Sequence, residues 1–178
     1  MDLPPTLQWQ VEETIDASLD QSWAAFEDLS LIPKYHPAVG SVEFPSDAVR
    51  RAPGVEYKCI IPAGPQRGWC VEKVIEHVPR ERSTIAFTGD SWGLSERLTG
   101  FVTEVVFEAC RDAQTRVTLR GFYSPKGLCA RMLNALFIRR AMRRRAKDTL
   151  AGMKQMLEAG ASPSAMATSP GSAPPEHG

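Results

Sequence analysis

Six short β-type runs follow one another between Val39 and Tyr123 with no helical segment between any two of them, and that succession constrains the fold more than any other feature. The runs cover residues 39–44, 55–61, 69–77, 84–88, 98–110 and 116–123, divided by turn-forming Pro-Ser-Asp, Ala-Gly-Pro-Gln, Pro-Arg-Glu and Arg-Asp-Ala-Gln. Runs joined this tightly form an antiparallel meander, because parallel neighbours need a long crossover. Upstream, Leu7, Trp9, Val11 and Ile15 alternate with Gln8, Gln10, Glu12 and Thr14, the two-residue period of a further half-buried strand.

Helical signals flank the meander. Ser18 or Asp20 can cap a short helix through Trp23, Phe26 and Leu29, and Pro33 and Pro37 divide the next stretch into a second helical turn and a loop. After Pro125 and Gly127, residues 128–158 contain no proline, and Leu128, Met132, Leu136, Met142, Ala146, Leu150, Met153 and Leu157 recur at helical spacing. One long amphipathic helix of roughly 45 Å results, enough to cross a seven-stranded sheet. The class is α+β. In most strands the odd positions are the more apolar: Val55, Tyr57, Cys59 and Ile61; Trp69, Val71 and Ile75; Phe101, Val105 and Phe107; Val117 and Leu119. That face is expected to point inward unless a β-bulge reverses it.

Composition removes several classes of function. The chain's 178 residues make one domain of ordinary size, and 21 basic residues balance 21 acidic ones, so no global charge draws it to nucleic acid. Cys59, Cys70, Cys110 and Cys129 form no C-x-x-C pair and only three histidines accompany them, which argues against a zinc or redox site and for free thiols. No cofactor or metal is expected. No basic stretch leads into an apolar run at the start and no segment reaches the roughly 18 apolar residues of a span, so the expected compartment is cytoplasmic. Residues 160–178 are mostly Ala, Ser, Pro and Gly and are expected to be a disordered tail beyond a domain of residues 1–159.

Five passages match a known family in the right order. They are Ile15-Asp16-Ala17-Ser18-Leu19-Asp20-Gln21-Ser22-Trp23, Ile32-Pro33-Lys34-Tyr35-His36-Pro37-Ala38-Val39, Gln114-Thr115-Arg116-Val117-Thr118, Ser124-Pro125-Lys126-Gly127 and the closing Leu150-Ala151-Gly152-Met153-Lys154-Gln155-Met156-Leu157-Glu158. Together they resemble the helix-grip superfamily of START-related lipid-transfer domains, birch-pollen-allergen-like proteins and polyketide cyclases, over residues 6 to 158. The resemblance implies a curved sheet of about seven strands gripping the long helix, two short helices after the first strand, and a cavity between sheet and helix for a hydrophobic molecule. It implies no one activity, because such folds carry lipids, bind hormones or cyclise polyketide chains.

Candidate site residues follow from that geometry. Tyr35 and His36 lie at the implied cavity mouth, where an imidazole near its ordinary pKa of about 6.5 can move protons and a phenol can donate to a carbonyl. The plainer alternative is that Tyr35 packs and His36 faces solvent, since no nearby carboxylate orients the ring. Tyr57, Trp69, Phe87 and Tyr123 are inward by parity and would wall the cavity, with Cys59 and Thr103 among its few polar contacts. His77, just before Pro79, reads as a turn residue. Arg139 and Arg143 fall within the apolar stripe of the long helix and should point toward the sheet, to meet either Glu72 and Glu104 or an anionic ligand group. The whole run Arg139-Arg140-Ala141-Met142-Arg143-Arg144-Arg145-Ala146-Lys147 is read first as a solvated helix face, with contact to nucleic acid, an anionic membrane surface or an acidic partner as the alternatives.

Three functions stay open at this level. One is a cofactor-independent, cyclase- or dehydratase-like protein in which Tyr35 or His36 moves protons while Arg139 or Arg143 holds an enolate or carboxylate. The second is a lipid or metabolite carrier, and the third an interaction module built on the basic helix. The ligand's identity and the oligomeric state are not written in the sequence.

Overall fold

A computed structural model describes residues 5–161 apart from 46, 63, 65, 66 and 112. Its strands are β1 (Thr6–Ile15), β2 (Ser41–Glu43), β3 (Glu56–Ile61), β4 (Gly68–Val78), β5 (Arg82–Asp90), β6 (Leu98–Ala109) and β7 (Thr115–Pro125). They form one antiparallel sheet in the order β1-β7-β6-β5-β4-β3-β2, a meander onto whose last strand β1 is added. Between β1 and β2 come α1 (Leu19–Glu27), a 3-10 turn (Leu29–Leu31) and α2 (Ile32–Tyr35). Ser18 caps α1 through a reciprocal pair of contacts with Gln21. A short α3 (Leu94–Arg97), not foreseen from the sequence, sits between β5 and β6.

The C-terminal helix has three parts: α4 (Gly127–Leu133), a π turn (Asn134–Ile138) and α5 (Arg139–Ala161). It runs past the expected end at Glu158 to include Gly160 and Ala161, and the remainder of the expected tail lies outside the described residues. In the π turn the Arg139 N–H donates to the Asn134 carbonyl five residues back, spending one residue more than an α-turn does. The row that faces the sheet is Ala130, Asn134, Ile138, Met142, Ala146 and Leu150, every fourth residue. Asn134 pins it: its Oδ1 accepts from the Tyr123 hydroxyl at 2.7 Å and its Nδ2 donates to Gln8 at 3.1 Å.

This row corrects the expected stripe. Leu128, Met132 and Leu136 stand two residues off it and are exposed, whereas Met142, Ala146, Leu150 and Met153 face inward as expected. Arg139 and Arg143 each follow a row member by one residue, about 100° round the helix, and both are exposed rather than aimed at the sheet. Their suggested partners are engaged elsewhere: Glu104 holds Arg120 at 3.0 Å and Glu72 accepts from Tyr57.

Inward parity holds on β3, β6 and β7 but reverses on β4. Ile61 pairs with Gly68 across a six-residue connection, so odd positions of β3 oppose even ones of β4, Tyr57 facing Glu72 and Cys59 facing Cys70. Cys70 and Val74 are therefore buried, while Trp69 and Ile75 are exposed. Two register shifts between β4 and β5 then restore the odd face for Ile85 and Phe87. His77 is a strand residue rather than a turn residue, its ring 4.9 Å from Trp23 and its Nδ1 3.2 Å from the Ser83 hydroxyl.

Where α5 crosses α2 the backbones touch. A Cβ at Gly152 would overlap the Tyr35 carbonyl oxygen and come within 3.0 Å of its carbonyl carbon. Gly152→Ala is therefore expected to cost about 1–3 kcal/mol, even though alanine is the better helix former by roughly 1 kcal/mol. Urea unfolding checks this, and a variant as stable as the wild type would show that α2 yields freely.

Candidate functional site

A pocket of about 180 Å³ lies between the sheet and α5. Its walls are mainly apolar, with Phe87, Phe101, Val105 and Leu119 from the sheet and Met142 and Leu150 from α5. Asp90 holds the connection after β5 in place by accepting the N–H groups of Trp92, Leu94 and Ser95 at 2.7–2.9 Å, which brings Trp92 and Leu94 to the pocket. Burial works against the Asp90 carboxylate, but these backbone donors outweigh it and hold its pKa below the usual range. Half-buried Arg145 stands 5.8 Å from the Trp92 ring centre, and with half-buried His36 marks the side where the pocket meets solvent.

The polar end of the pocket is built around Arg51, only 5% exposed. Its segment is drawn inward by three backbone contacts: the Leu29 N–H to Val49, a bridge between Asp28 and Arg50, and the Arg51 N–H to Glu27. The guanidinium donates to the Phe26 carbonyl, to the Tyr35 hydroxyl at 3.4 Å and to the Tyr57 hydroxyl at 3.3 Å, and its carbon lies 4.0 Å from the Phe26 ring centre. The Tyr57 hydroxyl in turn donates to Glu72 at 2.7 Å. Arg51 Nε is buried without a hydrogen-bond partner among the described residues.

Burial raises both phenols above their ordinary range, and the nearby guanidinium only partly offsets this. Burial works in the other direction on Arg51, but the two phenolic oxygens more than compensate and its pKa rises. At neutral pH the cluster is a buried cation between two neutral phenols, with Glu72 beyond Tyr57.

His36 is different from the proton carrier expected at an ordinary pKa. Its Nδ1 accepts the Ala38 N–H at 3.3 Å, which leaves the proton of the neutral ring on Nε2. Burial, and then the charge of Arg145, lower its pKa to about 4. At pH 7 it is a neutral hydrogen-bond donor at the pocket wall.

Of the residues singled out in the sequence, Tyr35, His36, Cys59, Phe87 and Thr103 line the pocket. Tyr57 and Tyr123 are fully buried behind it, one under Arg51 and the other locked to Asn134. Trp69 lies on the outer face against Lys58, and Arg139 and Arg143 lie outside the pocket. Sequence reasoning missed Arg51 altogether and read Arg145, which precedes Ala146 and lines the pocket, only as part of a solvated basic helix face.

Cys59 and Cys70, directly opposed on β3 and β4, bring their sulfurs and a Glu72 carboxylate oxygen within 4.8 Å of one another, an arrangement hidden by an eleven-residue separation in sequence. A soft cation would find ligands there. A hydrogen bond to Cys70 and burial push the Cys59 thiol far up, so without such a cation it stays protonated and packs as a small apolar group.

A curved antiparallel sheet folded over one long C-terminal helix, with a pocket between them, defines a helix-grip protein. The chain belongs to the polyketide cyclase / dehydrase and lipid transport family, whose pattern it matches over residues 7–158. Solved structures share the fold at low identity. TTHA0849 from Thermus thermophilus is 18% identical, with a TM-score of 0.67 over 86% of this chain and 98% of that one. A point mutant of Thalictrum flavum norcoclaurine synthase, in complex with a transition-state analogue, is 13% identical, with a TM-score of 0.70 over 90% and 99%. Ara h 8.0201 is 15% identical, with a TM-score of 0.66 over 85% and 97%. No curated protein matches the chain significantly in sequence. Among the described residues no helix is long and apolar enough to cross a membrane.

Proposed function

We propose that the pocket binds a hydrophobic small molecule with a carbonyl or carboxylate end, and that Arg51 and Tyr35 receive that end. The observation that carries this reading is a charged guanidinium, with one N–H unspent among the described residues, in the wall of a mainly apolar pocket. A side chain needed only for packing would avoid that desolvation cost. The family includes both catalysts and lipid carriers, and binding of this kind serves either.

One observation favours chemistry. Glu72 is the only carboxylate lining the pocket among the described residues, and through Tyr57 it belongs to the same cluster as Arg51. Glu72 can take a proton from the carbon beside a carbonyl, the electron pair moving onto the carbonyl oxygen, where Arg51 stabilises the enolate. Attack of that enolate on a second carbonyl of the same folded molecule closes a ring; the Tyr35 hydroxyl or His36 Nε2–H hydrogen-bonds the new alkoxide, which takes up the proton that Glu72 removed. No cofactor enters these steps. Arg139 and Arg143, exposed and outside the pocket, have no part in them.

Fluorescence of Trp9 and Trp92, both in the pocket wall, reports binding. A long-chain carboxylic acid is expected to bind more tightly than the hydrocarbon of matching length by about 1.5–3 kcal/mol, the range for a hydrogen bond to a charged group. Tyr35→Phe is expected to shrink that difference and to leave hydrocarbon binding unchanged. Equal affinities for acid and hydrocarbon in the wild type would overturn the polar-end assignment, and native mass spectrometry of the purified chain identifies any resident molecule.

A further inference from the structure

The first turns of the C-terminal helix turn their apolar side chains outward. Leu128, Met132, Leu136 and Phe137 are 74%, 61%, 59% and 63% exposed, in consecutive turns of one helix face. Scattered exposed apolar residues are ordinary, but four large ones in a row mark a contact surface. The outward face then changes chemistry rather than ending: exposed Arg139, Arg140, Arg143, Arg144 and Lys147 continue it along α5. From Lys126 to Lys147 the chain has no Asp or Glu at all.

From the exposed apolar turns and the basic face that continues them, we propose that this side of the helix docks on an anionic lipid surface. The apolar turns would sit at the headgroup–acyl boundary while the cations meet lipid phosphates, the division of labour of an interfacial helix. At about 1.5 Å per residue, residues 128–147 offer roughly 30 Å of such a face. Charge decides between this occupant and a second copy of the chain. Self-pairing through the same patch would press acid-free basic segments together. A polynucleotide would use the cations but leave the leucines, Met132 and Phe137 without a partner. The inference does not depend on what the pocket holds.

Flotation of the full chain with phosphatidylcholine vesicles, with and without phosphatidylglycerol, tests it. The chain is expected to float only with the anionic vesicles, and less at high salt. The Arg140→Gln/Arg143→Gln/Arg144→Gln variant should lose roughly a hundredfold in partitioning, and Leu136→Ser/Phe137→Ser at least tenfold. Every replaced side chain is exposed, so unchanged melting curves would confirm that both variants fold. The proposal is overturned if the wild type fails to float with anionic vesicles, or if Leu136→Ser/Phe137→Ser floats as the wild type does. It is equally overturned if sedimentation shows a dimer that this variant dissolves, or if duplex DNA is bound in place of vesicles.

Discussion

Arg51→Ala is expected to destabilise the chain by about 3–5 kcal/mol, the range for removing one member of a buried charged cluster. The substitution strands the Phe26 carbonyl, removes the donor shared by the Tyr35 and Tyr57 hydroxyls, and takes the guanidinium away from the cluster that Tyr57 links to Glu72. It also opens a void against the Phe26 ring. Arg51→Met separates the two costs, because its side chain keeps much of the packing and none of the charge. If the electrostatic part dominates, Arg51→Met should fall close to Arg51→Ala, and adding Glu72→Gln should restore a measurable part of the loss. Urea unfolding of the wild type, Arg51→Met, Glu72→Gln and the double variant gives the cycle. A cost below about 1 kcal/mol for Arg51→Ala would place Arg51 with ordinary surface residues and remove the basis for its role in the pocket.

Acid should unfold the chain through His36. The folded-state pKa is lowered to about 4, against about 6.5 for an unperturbed histidine, so between these values the unfolded chain binds the extra proton and the folded chain does not. Stability is therefore complete above about pH 6.5 and is lost as the pH falls toward 4, by about 3 kcal/mol from this one ring. Carboxylates contribute their own slopes, but these cancel when the wild type is compared with His36→Gln at each pH. The difference between the two should be flat above pH 7 and should shift in favour of the variant by about 3 kcal/mol at pH 4. Arg145→Gln should flatten the slope, since its charge is the second cause of the shift after burial. A difference that does not change with pH would mean that the ring is solvated, as the plainer sequence reading has it.

Sheet and helix were legible in the sequence because both depend on periodicity over many residues. Every expected strand is present, and the boundaries move by three residues or fewer. Facing was less legible, because it depends on parity and parity is set by single residues. The six-residue β3–β4 connection turns Trp69 outward and Cys70 inward, and the register shifts between β4 and β5 keep Ile85 and Phe87 on the inner face, without altering any strand's apolar content.

The site divides along the same line. Tyr35 and His36 were found through a passage whose order resembles a family, and Phe87 and Thr103 through parity on strands that kept it. Arg51 could not be found that way. It lies in Arg50-Arg51-Ala52-Pro53-Gly54, which has the composition of a solvent-exposed turn, and it is buried only because backbone contacts from Glu27, Asp28 and Leu29 pull the segment in. Arg139 and Arg143 fall on the apolar stripe only of a helix with one unbroken α period, whereas the buried row follows every fourth residue through a π turn.

That π turn makes two independent instruments of one helix. An uninterrupted α-helix ties the facing of residue 128 rigidly to that of residue 150, so any change that improved one end would be constrained by the other. With a five-residue turn anchored by Asn134 between them, the N-terminal turns can be rewritten for a different surface while Met142, Arg145 and Leu150 keep their places around the pocket. Relatives sharing the pocket half of this helix need not share its outer chemistry, and removing a single residue between 134 and 138 would swing the first turns by about 100° against an unmoved pocket.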